Sequence, residues 1–366
     1  MQIWTCAGCG QPLYFENYRC LRCGATVGFL PDVLQISSLQ AMGDGRWQAL
    51  GEAGRGAYRS CANQVQHGAC NWMIADADPD PYCVSCRLNR RIPDLGNAEY
   101  RQRWLRLEGE KRRLVYGLLR LGLQVIPKSV EAMRGLAFDF LADGDNPGDP
   151  AAEEGTGVVT GHYLGLITLN IAEADDVVRE RLRRDMQEPY RTLLGHFRHE
   201  TGHYYWNRLV MEGGWTDAVR TRFGDDRADY AEALQRHYQQ GPAADWQSHF
   251  VSAYASSHPW EDWAESWAHY LHMVDTLETA SRFGLRLRID GDALPDLKFR
   301  PGEDPYSDMT FDRLIQAWLP LTVALNNLNR SMGLADAYPF VLSGPALDKL
   351  RLVHAIVRRT AGRTEA

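Results

Sequence analysis

The chain has 366 residues, 45% hydrophobic and 24% charged, which suits a globular protein of two or three domains with a sizeable core. Its net charge of −7 argues against nucleic-acid binding by the chain as a whole, and no apolar run approaches the ~18 residues of a membrane span. The first residues lack the basic-then-apolar order of a secretory signal, so none is expected there.

All eight cysteines lie before residue 87. Cys6-x2-Cys9 and Cys20-x2-Cys23 form a pair of knuckles, and two such hairpins bring four thiolates to the tetrahedron of a closed zinc site. Cys61, Cys70, Cys83 and Cys86 make a second, less regular set of four, with buried free thiols as the plainer reading. Zinc-bound thiolates fit a reducing compartment, so a cytoplasmic protein is expected. Residues 1–95 therefore read as a double zinc-ribbon module, with residues 31–58 joining the ribbons and carrying little pattern.

Residues 97–120 read as a helix with seven basic residues against Glu99, Glu108 and Glu110. Beside zinc ribbons such a helix is a candidate for nucleic acid, but a charge run is more often a solvated face. Residues 123–171 carry short β-prone runs that predict a small, mostly antiparallel sheet. The acidic run 143–155 reads as a hairpin loop.

From 189 to 212 the chain reads PYRTLLGHFRHETGHYYWNRLVME, with Pro189 suited to a first helical turn and Gly213-Gly214 to a stop. His199, Glu200 and His203 form H-E-x-x-H. On a helix, positions i and i+4 share a face, so both imidazoles can bind one metal ion. Glu200 then stands beside the metal, placed to take a proton from an activated water. Residues 215–224 read as loop, and a helix is predicted over 227–239.

His258-Pro259 opens a further helix in which Glu261, Glu265 and His269 fall at i, i+4 and i+8. The surrounding Trp260, Trp263, Trp267 and Tyr270 imply burial, and a buried carboxylate needs a cation or hydrogen bonds. A zinc held by two histidines wants a third protein ligand and leaves its fourth position for water. Asp225 and Asp226 on the intervening loop are rivals for that place. Helices over 311–331, with Pro320 inside, and 345–360 read as packing.

The strings CNWMI, CVSCRLNRRIPDL, LLGHFRHETGHYYW and HPWEDWAESWAHYLH resemble a bacterial family of zinc-binding metallopeptidases with an N-terminal zinc ribbon. The resemblance covers most of the chain and implies peptidase chemistry. The second half also resembles gluzincins of the anthrax lethal factor type, in which a Tyr stands seven residues before the metal-binding Glu of an E-x-x-A-E string. Tyr254 stands seven before Glu261, and Glu261 and Glu265 keep the string, with Asp262 and Trp263 departing from the aromatic pair of that type. That resemblance implies a zinc ligand in Glu261, a supporting carboxylate in Glu265 and an oxyanion donor in Tyr254. In the zincins it resembles, a run such as Gly165–Ile171 is the sheet edge that pairs with extended substrate.

The expected fold is α+β: the double ribbon over 1–95, then a mainly helical zincin-like domain over 96–366 with a small antiparallel sheet. The expected function is zinc-dependent peptide hydrolysis with one catalytic and two structural zinc ions, acting on a peptide or protein substrate. The ribbons are candidates for docking a protein partner. The rival function is an inactive metalloprotease fold serving as a nucleic-acid-binding or scaffold module.

Overall fold

The computed structural model describes residues 2–51, 56–143, 158, 160–186, 188–288, 298–299, 303–307, 309–360 and 362. Most of the acidic run 143–155 lies outside these residues. The chain divides into two compact units, Met1–Arg120 with Gln124–Val178, and Leu121–Leu123 with Arg179–Ala366. The first unit thus holds more than the cysteine-bearing residues 1–95.

In the first unit, β1 (Trp4–Thr5) and β2 (Pro12–Leu13) pair antiparallel around the first knuckle. Five antiparallel strands follow in order: β3 (Val27–Leu30), β4 (Gln35–Gly43), β5 (Arg46–Ala49), β6 (Ala57–Ser60) and β7 (Met73–Ala75). Residues 31–58 are therefore a large part of this sheet, not a patternless join. Asp44 and Gly45 both have positive φ, the backbone that a two-residue hairpin needs, and Asp-Gly is its usual sequence. Leu30, Leu39, Ala49, Tyr58 and Met73 close over one face as a core. Between β6 and β7 lies α1 (Ala62–His67).

A second sheet has the order β10 (Gly161–Tyr163), β11 (Leu166–Asn170), β9 (Ala137–Leu141), β8 (Asn89–Arg91). Only β10 and β11 are antiparallel; β11 with β9 and β9 with β8 run parallel, correcting the expected direction. The reason is the connection. From β8 to β9 the chain passes through α2 (Ala98–Arg120), and a long helical crossover returns a strand in the same direction. The run Gly165–Ile171 is not a sheet edge either, because β11 is hydrogen-bonded on both sides.

Helix α2 buries one face, while Arg101 and Arg106 of its basic run stay exposed. Trp104, Leu107, Leu114, Val115 and Leu118 are buried along it. Its cations are committed within the unit: Arg101 donates to the His67 carbonyl, Arg112 to that of Ala69, Arg106 to that of Ala174, and Arg103 and Arg113 to the carboxylates of Asp175 and Glu16. Lys111 and Glu108 form a fully buried pair at 2.6 Å.

The second unit is mainly helical. It comprises α3 (Asp176–Asp185), which begins at the boundary, α4 (Leu193–Tyr205), α5 (Thr216–Phe223), α6 (Tyr230–Gln240), α7 (Pro259–Arg282), α8 (Phe311–Ser331) and α9 (Gly344–Thr360), with a two-stranded ribbon of β12 (Leu287–Arg288) and β13 (Lys298–Phe299). Pro189 precedes α4 rather than opening it. Thr192 caps the helix instead, its hydroxyl accepting from the Gly195 N–H. Helix α5 replaces the expected loop; its buried anchors, Val219 and Phe223, sit at i and i+4. Helix α8 runs through Pro320.

The core of this unit is α7, with Trp263, Trp267, Tyr270 and Val274 buried against α4 and α9. The two helices α4 and α7 meet at Gly202. A Cβ there would lie 2.8 Å from the Ala264 Cα, so only glycine permits this approach. The Trp263 indole N–H donates to the Gly202 carbonyl at 2.9 Å across the same contact. In the same first turns of α7, Lys349 of α9 reaches buried Asp262 at 2.6 Å.

Candidate metal centres

Each set of four cysteines converges. In each, the four sulfurs all lie within 4.8 Å of one another. Cys6–Cys23 and Cys9–Cys20 are 3.6 Å apart, and Cys70–Cys83 3.7 Å. These separations exclude disulfides, whose sulfurs are about 2.05 Å apart. Sulfurs held about 2.3 Å from a central zinc stand about 3.8 Å from each other, so both sets have the dimensions of a four-thiolate zinc site. The irregular spacing of the second set has a local cause: α1 fills the gap, with Cys61 at its N-cap and Cys70 shortly after its end. Arg112 is the nearby countercharge. Burial works against its charge, but Cys70, Glu108, Cys86 and Cys83 raise its pKa nonetheless.

The third cluster belongs to α4 and α7. His199 and His203 are one turn apart on α4, their ring centres separated by 4.9 Å. Glu261, in the first turn of α7, places Oε2 at 2.9 Å from His199 Nε2 and 3.5 Å from His203 Nε2. That oxygen is buried and makes no hydrogen bond, whereas Oε1 accepts from the Tyr230 hydroxyl at 2.6 Å. Two imidazole nitrogens and a carboxylate oxygen thus face one point. Such lone pairs repel unless a cation lies between them. A His-His-Glu set is the donor set of a catalytic zinc, so the residues fit the ion.

Glu265 takes a different place. Its Oε1 accepts from the His199 Nδ1–H at 2.7 Å, and its Oε2 from the Ser252 hydroxyl at 2.6 Å. A proton held on Nδ1 leaves the Nε2 lone pair of His199 facing Glu261. The cluster is built for a positive charge.

Glu200 lies on the same helix, 6% exposed. Burial raises its pKa, but His196, His199 and His203 outweigh that and keep it below the ordinary carboxylate value, so it is ionised and able to accept a proton. Its Oε1 is 3.5 Å from His196 Nε2. The Tyr254 ring centre is 5.9 Å from that of His199. Burial first, then the charge of Glu261, pushes this phenol far up, so it remains a hydrogen-bond donor.

The rivals for the third place are occupied elsewhere. Asp225 binds Arg227, and Asp226 binds Arg220. His269 Nδ1 is 2.7 Å from the Tyr338 hydroxyl. Three further residues of the site are not singled out by the sequence. His196 is visible there as a third histidine one turn before Glu200. Ser252 and Tyr230 carry no signal, because each reaches the site from another segment. Trp206, Asn207, Asp226, Tyr230, His258 and Trp260 line a cleft of about 300 Å³, and the Trp260 ring packs 3.9 Å from that of His203.

Fold and sites together define a zinc-ribbon protein with an H-E-x-x-H candidate metal centre on a helical unit. The chain belongs to the family described as "Putative zinc-binding metallo-peptidase", whose model matches residues 100–356; a zinc-ribbon domain model matches residues 3–97. Relatives from Mycobacterium bovis and from Mycobacterium tuberculosis strain H37Rv, each bearing the name "uncharacterized protein", are 42% identical over 99% of this chain and 96% of their own. No solved structure matches, so the likeness to the lethal factor type rests on the sequence string alone. Among the described residues, no helix is long and apolar enough to cross a membrane.

Proposed function

We propose that the protein is a zinc-dependent peptidase. The observation that carries this reading is the buried Oε2 of Glu261, which has no hydrogen bond and faces the Nε2 atoms of His199 and His203 beside an ionised Glu200. His199, His203 and Glu261 would hold the catalytic zinc, and the two cysteine sets one structural zinc each. Bound zinc supplies a Lewis acid that polarises a scissile carbonyl and acidifies water.

The chain's own groups do the rest. Glu200 takes the proton of the attacking water and later delivers it to the leaving amine. Tyr254 donates a hydrogen bond to the oxyanion as the carbonyl becomes tetrahedral. Glu265 holds His199 in the tautomer that ligates. Functionally, residues 1–95 are the double ribbon and residues 96–366 carry the peptidase. The ribbons dock a protein partner or the substrate. Nucleic acid is disfavoured as their ligand because the arginines of α2 are engaged within the unit. The inactive-scaffold reading is disfavoured by the retained and ionised Glu200. Thiolate-rich zinc sites suit the cytoplasm.

The test is cleavage of a denatured protein mixture by the zinc-loaded chain, followed by mass spectrometry of new termini. Termini produced by the wild type and lost in Glu200→Gln support the reading. Absence of any cleavage over a broad substrate set, with the metal in place, refutes it.

A further inference from the structure

Tyr230 is the first residue of α6, none of whose residues is buried. What ties its start to α7 is local. The Ala228 carbonyl is 3.1 Å from His258 Nε2, and His258 is the N-cap of α7. The Tyr230 ring stands edge-on to His258 and Trp260, at 5.3 and 5.5 Å between centres. Its hydroxyl ends on Glu261 Oε1.

The geometry points to Tyr230 as a positioning residue that fixes which oxygen of Glu261 is presented to the metal. This rests on the reading of Glu261 as a ligand. A carboxylate can turn about its last torsion and offer either oxygen or both. The hydroxyl bond occupies Oε1 and leaves Oε2 alone aimed at His199 and His203. A phenol suits the task because it is neutral and adds no charge to compete with the ion.

The experiment uses the full chain. Zinc affinity is measured by competition with a colorimetric chelator, with the His199→Ala/His203→Ala double variant marking the level due to the cysteine sites. The cobalt(II)-substituted protein is examined by visible absorption, which reports coordination rather than activity. Tyr230→Phe keeps the ring against His258 and Trp260 and removes only the hydroxyl. It is expected to hold zinc about 10- to 100-fold more weakly and to change the cobalt spectrum, while Tyr238→Phe, on the exposed side of α6, matches the wild type. Wild-type affinity and an unchanged spectrum in Tyr230→Phe overturn the role of Tyr230 and leave the metal site standing. If the wild type binds no more zinc than the double variant, the metal site itself is refuted and this role with it.

Discussion

His199 and Glu265 are joined Nδ1 to carboxylate at 2.7 Å, while Glu261, one turn earlier on the same helix, faces the other nitrogen of that ring at 2.9 Å. Two carboxylates at i and i+4 thus grip both edges of one imidazole. The stripe places them in different roles because the ring of His199 lies between them.

Those roles separate on substitution. Glu261→Ala is expected to strip the catalytic zinc. Glu265→Ala is expected to keep it with affinity lowered about 10- to 100-fold, since only the hydrogen bond behind the ligand is lost. Titration with a zinc chelator reads both, and the reverse ranking exchanges the two assignments.

Glu200→Gln should retain all bound zinc and lose hydrolysis by a factor of about 10²–10⁴ or more. The amide keeps the shape of the side chain and cannot take up the proton. Metal analysis beside a cleavage assay checks this. Substantial residual cleavage would mean that another group is the base.

Purified protein should carry about three zinc ions per chain, one for each cluster. Cys20→Ser and Cys83→Ser should each reduce the count to about two, through different sites. Native mass spectrometry distinguishes these outcomes from disulfide formation, which would lower the mass by two hydrogens for each bond.

Lys111→Met should destabilise the first unit by about 3–5 kcal/mol, because Glu108 would be left charged and buried without its 2.6 Å partner. Changing both, to Met and Leu, should recover much of that loss. Denaturant unfolding of the two variants measures the difference, and equal losses would contradict it.

Acid should weaken the second unit through two of its buried histidines. Burial lowers the pKa of His269 to about 4 and that of His354 to about 3, the latter helped by the charges of Arg358 and Arg351. The unfolded chain binds protons at these positions near pH 6.5 and the folded chain does not, so stability is full above about 6.5 and falls as pH drops toward 4. Each histidine contributes a slope of at most about 1.4 kcal/mol per pH unit. His354→Gln should flatten the dependence of the melting temperature on pH over that range; an unchanged slope would refute the contribution.

How much is legible in the sequence follows from how local each feature is. H-E-x-x-H needs one helix, and the helical period fixes it from sequence. The first cysteine set needs only two hairpins. The third ligand is ambiguous there because Glu261 and Glu265 share a stripe, and only the packing of α7 on α4 decides which nitrogen each meets. Tyr230 is invisible, since nothing in the sequence says that α6 starts beside α7. Strand direction in the β8–β11 sheet depends on what the crossover does, not on the strands. The charges of α2 suggest a surface because sequence cannot show that Glu16, Asp175 and three carbonyls wait to receive them.

Gly202 has a consequence for which ion the centre accepts. Both histidines ride on α4 and Glu261 rides on α7, so the gap between the helices is also the width of the metal's seat. That gap is set at a point where Ala264 leaves no room for a Cβ. One methyl group at 202 would force the helices apart by several tenths of an ångström, and the three donor atoms with them. A seat so widened favours a larger ion over one that forms bonds of about 2 Å. In the proposed centre the missing side chain would act as a calliper, selecting for ionic radius from a position that never touches the ion.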